Sequence, residues 1–256
     1  MKELRIIVEN RPHTFHVPTC YDEMNERQYM AAVLHLMRMD ESGAFWHRFA
    51  GMKQGFFDNL PEWVMMEMDE MVEYIFRLDE PLDHFLIPSL PFRGKLMQEH
   101  LLAPKKQLEG MSFQQFMTAD TFFSYYCVTQ RETFIDRLVA SLYLRKHETF
   151  ITASKHDILV PLEKREAYVH HHLSAVVRFA VFANWILIHN WLAKNFRYLF
   201  PRGGSDNGKP QASDWLGLFD SFVGDNIPFI KEYQRMPCMD ALRIIDGKIK
   251  QQQERK

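Results

Sequence analysis

Residues 173–193, LSAVVRFAVFANWILIHNWLA, set the strongest limit on the fold. At 1.5 Å per residue this run has about the length of a membrane span. Arg178, Asn184, His189 and Asn190 interrupt it. A charged residue that deep in a bilayer costs at least about 2.5 kcal/mol, and the run lacks anchors on both flanks. A helix that is apolar nearly all round in a chain outside the membrane is a central core helix or a buried interface. We therefore expect 173–193 to be a buried helix.

The run is preceded by EAYVHHH (166–172), which raises the question of a metal. If 166–193 is one helix, neighbours project about 100° apart, so His170, His171 and His172 diverge. Helical ligand pairs need i, i+4 spacing, and the pair that has it is Glu166 with His170. One carboxylate and one imidazole make half a zinc site. The expectation is a polar helix start with its histidines in solvent or against a partner, and no metal or other cofactor.

Composition narrows the class. A net charge of −2 gives no reason to expect nucleic acid or an anionic membrane as a partner. Cys20, Cys127 and Cys238 lie over a hundred residues apart, too few and too scattered for a disulfide framework, which suits a reducing cytoplasm. MKELRIIVENRPH has too short an apolar run for a signal peptide. The unusual entries are 15 Met and 21 Phe, residues that fill cores and also build adaptable binding surfaces.

LRIIVE (4–9) and HTFHVP (13–18) alternate apolar and polar residues around Asn10-Arg11-Pro12, which predicts a short hairpin. Almost all of the remaining chain reads as helix. Asn25 and Ser112 each precede an apolar-periodic run, with Gln28 and Gln115 three residues on, the capping-box arrangement. Breaks fall at Pro81, Pro88–Pro91, Pro104 and Pro161, and PRGGSDNGKP (201–210) is the clearest loop. The fold class expected is mainly α, with irregular multi-helix domains and a short N-terminal β-hairpin. The divisions expected are a hairpin over 1–20, a first helical region over 21–107, and a second over 108–256. The second contains a loop near 201–213 and a basic tail.

There is a faint internal echo. MNERQYM (24–30) matches MSFQQFM (111–117), FWHRFAG (45–51) matches LFDSFVG (218–224), and Leu60-Pro61 matches Met236-Pro237, in the same order. A duplication with an insertion would explain it, and so would chance agreement between helix-biased strings.

Signs of catalysis are few. There is no GxSxG elbow, GxGxxG or GxxxxGK[ST] motif, and RGGSDNG (202–208) has no preceding strand or phosphate-binding lysine. A non-enzyme is expected. The marked oddity is PEWVMMEMDEMVEYIFRLDE (61–80), with seven carboxylates against Arg77 and methionines at 65, 66, 68 and 71. Such a surface repacks around different partners. Trp63, Met65, Met68, Met71 and Val72 are the candidate partner-binding residues. The competing reading is an amphipathic helix with this stripe in the core and its acids in water.

The segment LEGMSFQQFMTADTFFSYYCVTQRETFIDRLVASLY (108–143) resembles the L-x-x-M-x-x-x-Q-F … Y … L-x-x-L-x-A-x-L-Y stretch of helical tail-module proteins of Bacteroides-type phages and prophages. A Trp-containing helical region comes next, here around Trp185 and Trp191. LFDSFVG (218–224), Met236-Pro237, Ala241-Leu242 and the basic KIKQQQERK (248–256) then complete the pattern. The likeness covers roughly 108–256 and rests on spaced hydrophobics; residues 1–107 stand outside it. It implies a non-catalytic assembly factor similar to tail-assembly chaperones. Such a factor would work in the cytoplasm of the bacterial host, binding tape-measure or tail-tube protein, alone or as a homo-oligomer. The alternatives are a structural component of the particle, a host regulatory binding protein, and a helical enzyme.

Overall fold

The computed structural model describes residues 1–8, 11–93, 98–151, 158–200, 214–224 and 226–255. The chain is mainly α-helical, with a short N-terminal antiparallel hairpin. It divides into two compact units, Met1–Leu82 and Asp83–Lys256. The expected division at 107/108, with the hairpin set apart, differs from this. The hairpin belongs to the first unit, and residues 83–107 belong to the second.

The first unit opens with β1 (Lys2–Val8) and β2 (Arg11–Val17), paired from Lys2↔Val17 to Val8↔Arg11. Both strands thus begin and end slightly earlier in the chain than the expected 4–9 and 13–18. Four helices follow: α1 (Glu26–Leu36), α2 (Ser42–Ala50), α3 (Gln54–Phe57) and α4 (Glu62–Met71). A 3-10 turn, Glu73–Phe76, closes the series. The full capping box forms at α1: Gln28 N–H donates to Asn25 Oδ1, and Asn25 N–H to Gln28 Oε1, both at 3.0 Å. Tyr21, Tyr29, Phe45, Trp46, Phe49, Met52, Met68 and Ile75 make the core. Helix α2 ends at Gly51, whose φ of 73° lets the last carbonyls be met by the N–H groups of Gly51 and Met52.

The second unit begins with β3 (Ser89–Arg93) and β4 (Gln98–Leu102). The main helical pair is α5 (Phe113–Thr129) and α6 (Glu132–Leu142), reversed at Gln130 in the left-handed region. Three two-residue strands follow, β5 (Leu144–Arg145), β6 (Glu148–Thr149) and β7 (Ile158–Leu159). Then come α7 (Leu162–His172), α8 (Ala175–Asn195), α9 (Trp215–Val223), α10 (Ile230–Arg235) and α11 (Cys238–Glu254). Strands β3, β4 and β5 form one antiparallel sheet, and β6 pairs with β7 in parallel. The sequence pattern does not announce these small sheets. Pro88 and Pro91 read as breaks, yet Pro91 lies within β3, an edge strand, where a missing N–H is tolerated.

Two expectations for the His-rich stretch are corrected. Residues 166–193 are not one helix: α7 ends at His172, and α8 restarts after Leu173 with Ser174 as its N-cap. The histidines therefore occupy a helix end, where positive charge suits the exposed carbonyls. Helix α8 is long and apolar enough to cross a membrane by length and composition, and half of its most apolar stretch is buried within the protein. The expected loop near 201–213 lies outside the described residues.

The paired landmarks correspond only in part, since Gln28 bonds to the helix that carries the second landmark whereas Gln115 bonds to α6 and not to α9. Gln28 Nε2 donates across to Phe49 O in α2, and Gln115 Nε2 donates to Ser141 O at the end of α6. Ser112 caps α5 through Gln115 N–H at 3.2 Å; with Gln115 turned to α6, only that half of the expected box forms. Gly51 and Gly224 end α2 and α9 with positive φ, and Pro61 and Pro237 directly precede α4 and α11.

Candidate functional site

Helix α4 carries the residues singled out in the sequence, and the structure divides them between two faces. Val64, Met68 and Val72 follow at i, i+4 and i+8, with Ile75 beyond, and all are buried. Met68 is 0% and Val72 1% exposed. Trp63, by contrast, is 64% exposed, and Met66, one turn further on, is 62% exposed. Met65 and Met71 are half-buried at the boundary. The five candidate residues therefore do not line one groove. Met68 and Val72 belong to the core, and the exposed apolar surface is Trp63 with Met66.

The signal for this split was present but ambiguous. Methionines at 65, 66, 68 and 71 put sulfur on every side of a ten-residue helix. The β-branched residues decide it: Val64 and Val72 share a face with Met68, and Trp63 and Met66 do not.

The outer face is acidic. Glu62, Glu67, Asp69, Glu70 and Glu73 are all exposed. Trp46 Nε1 lies 3.4 Å from Asp69 Oδ1, and Arg77 is paired with Glu73 at 3.3 Å. The rest of the unit supports this face rigidly. Tyr21 O–H donates to Ile75 O at 2.6 Å, and Tyr74 O–H to Pro18 O at 3.0 Å. Burial, with Glu80 nearby, pushes both phenols well above their ordinary value, so they stay neutral donors. Burial likewise raises Glu80, against the opposing bond from Tyr21 N–H.

The second unit gathers charge where the sequence showed only scattered residues. Asp120, fully buried on α5, is met by His189 of α8 and the Trp215 indole of α9. Asp136 of α6 is met by Arg178 of α8 and by His170 Nδ1 of α7 at 2.8 Å. Arg165 of α7 binds Glu148 at 2.6 Å, Ala140 O at 2.9 Å and Val160 O at 2.8 Å. Arg137 Nε reaches both oxygens of Glu166 at 3.1 Å. The Asn184 amide accepts from Leu86 N–H at 2.7 Å and donates to His84 O at 3.1 Å.

The interruptions Arg178, Asn184 and His189 in the apolar run are thus the tethers of α8. A polar residue inside such a run has to find a buried partner, and that was the available signal. Glu166 and His170, the one pair with ligand spacing, are held by Arg137 and Asp136. Among the described residues no three His, Cys, Asp or Glu side chains converge on a point. Asp120 and Asp136 each take donors from two separate segments, an arrangement that locks those segments together. Burial, with the charge of Asp120, also raises the thiols of Cys127 and Cys238, which favours their unreactive protonated form.

No protein-family model matches the chain, and neither does any curated protein or solved structure.

Proposed function

We propose that the protein is a non-catalytic binding protein in which the second unit is a rigid scaffold and the first unit presents the partner-facing surface. The observation that carries this reading is the exposed pair Trp63 and Met66 on a helix whose opposite face is anchored in a core. A tryptophan held on a rigid helix with most of its surface in water is a ready anchor for a partner, because burying it is favourable and costs little side-chain freedom. The buried charges of the second unit are engaged by partners on other segments, and this supports a scaffolding role for them.

The narrower reading is a phage tail-assembly factor that shields tape-measure or tail-tube protein in the host cytoplasm. It rests on the sequence resemblance of residues 108–256. Co-expression with the tail-tube and tape-measure proteins of the same genome tests both levels. The intact chain is expected to co-purify with one of them, and Trp63→Ala with Met66→Ala to lose it while circular dichroism stays unchanged. Retention of every partner by that double variant would retire the surface. Presence of the protein in purified particles at fixed copy number would replace the assembly reading with a structural one.

A further inference from the structure

The outer face of α4 has an order of side chains that selects a partner chemistry. Residues 63, 66, 67 and 70 follow i, i+3, i+4, i+7 and share one face, so an apolar pair, Trp63 and Met66, is followed by two carboxylates, Glu67 and Glu70. All four are exposed. Arg77, the one base in 61–80, is already engaged by Glu73. Among the described residues, no cation lies within ion-pair distance of Glu67 or Glu70.

We propose that this face binds a cationic amphipathic helix of another protein. Its apolar side chains would seat on Trp63 and Met66, and its Lys or Arg groups would reach Glu67 and Glu70. The inference rests on the reading of α4 as the partner-facing surface, and it adds the partner's charge. The face is about 10 Å long, which matches two helical turns of a partner. Methionine adapts to differing apolar side chains, and the tryptophan ring accepts a cation over its face. An acidic or uncharged segment would leave the carboxylates repelled or unpaired, so the same face discriminates against it.

Trp63 provides its own readout, because the other four tryptophans are buried or half-buried. The full-length protein is titrated with a synthetic helix-forming peptide of Leu and Lys and, separately, with its Leu and Glu counterpart. The signal is the emission that Trp63→Phe removes. The Leu/Lys peptide is expected to shift this emission to the blue and to saturate. Affinity should fall at least tenfold with Glu67→Gln and Glu70→Gln together, and similarly with Met66→Ala, whose binding is read by the same emission. The Leu/Glu peptide should give no shift. These substitutions are at exposed positions, so the fold is preserved.

Equal affinity of wild type and the Glu67/Glu70 variant, or absence of saturation, overturns the proposal. If the peptide fails while tail proteins still co-purify through Trp63 and Met66, the charge inference falls and the binding surface stands. Concentration-dependent self-association abolished by Trp63→Ala would identify the occupant as a second copy, and would equally overturn it.

Discussion

In residues 1–82 the fully buried polar groups that join segments are neutral, the Tyr21 hydroxyl on Ile75 O and the Gln28 amide on Phe49 O, while the Glu80 carboxylate that takes Tyr21 N–H is only partly buried. Arg48–Asp40 shelters its carboxylate but opens to solvent through the guanidinium. In residues 83–256 neutral groups such as Gln115, Asn184 and the Tyr143 hydroxyl also join segments, but fully buried charges join them as well: Asp120, Asp136, Glu148 and Arg165. Neutral hydrogen bonds and aromatic packing place α4 without committing its outer face, which stays free to display Trp63 and Met66. Buried ion pairs fix which helix meets which, and they are brittle, because removing one partner strands the other. Under the proposed function, one region presents a surface and the other holds a shape.

The sharpest way to break the comparison is to orphan a charge. Arg165→Ala leaves the buried Glu148 carboxylate with only the longer ion pair to Arg145 Nε at 3.7 Å and is expected to cost at most about 3–5 kcal/mol. Set against a typical total of about 5–15 kcal/mol, that is a large drop in the urea midpoint. Replacing both, Arg165→Met with Glu148→Leu, should recover most of it. A single variant as stable as wild type would show that the pair is not a tether.

Next in size is Met68→Glu, which places an unpaired carboxylate in the first unit's core at a cost of several kcal/mol. Met66→Glu, two residues away, should stay within about 0.5 kcal/mol of wild type. Thermal melts of the two variants side by side check the division of α4 into faces. Equal melting temperatures would dissolve it.

Smaller effects test the paired glutamines. Gln28→Leu removes half of a capping box and the bond to Phe49 O, and Gln115→Leu removes the bond to Ser141 O. Each is expected to cost about 1–2 kcal/mol by urea unfolding.

The smallest effect is a pH dependence confined to the first unit. His35 stacks on Phe45 with centroids 4.2 Å apart, and burial holds its pKa below the usual 6.5, against the pull of Asp69 and Asp40. The unfolded chain therefore binds the proton first, and stability declines as pH falls below 6.5 toward the lowered folded value. His35→Phe should flatten that part of the stability profile. An unchanged slope would show that His35 does not set it.

Much of the helical framework was legible because its signals are local. Asn25 and Ser112 announce the starts of α1 and α5 within four residues, and the apolar run 173–193 could only be a long helix. The small sheets were not legible, since β5, β6 and β7 are two residues each and Pro91 disguises β3. The ion pairs join residues far apart in sequence, such as Asp120 with His189 and Asp136 with Arg178, and no short window contains both partners. The candidate surface was half legible: the sequence pointed to α4, but a helix rich in methionine does not say which methionine faces inward.

That last distinction carries the proposed binding surface, and mild peroxide oxidation with peptide mass spectrometry reads it directly. Met66 and Met68 are two residues apart and differ in face, so each is the other's control. In the free protein Met66 is predicted to oxidise readily while Met68 stays protected, and a bound partner should then protect Met66 as well. Equal oxidation of both residues in the folded protein, or a partner that leaves Met66 as reactive as before, would contradict a binding surface built on Trp63 and Met66.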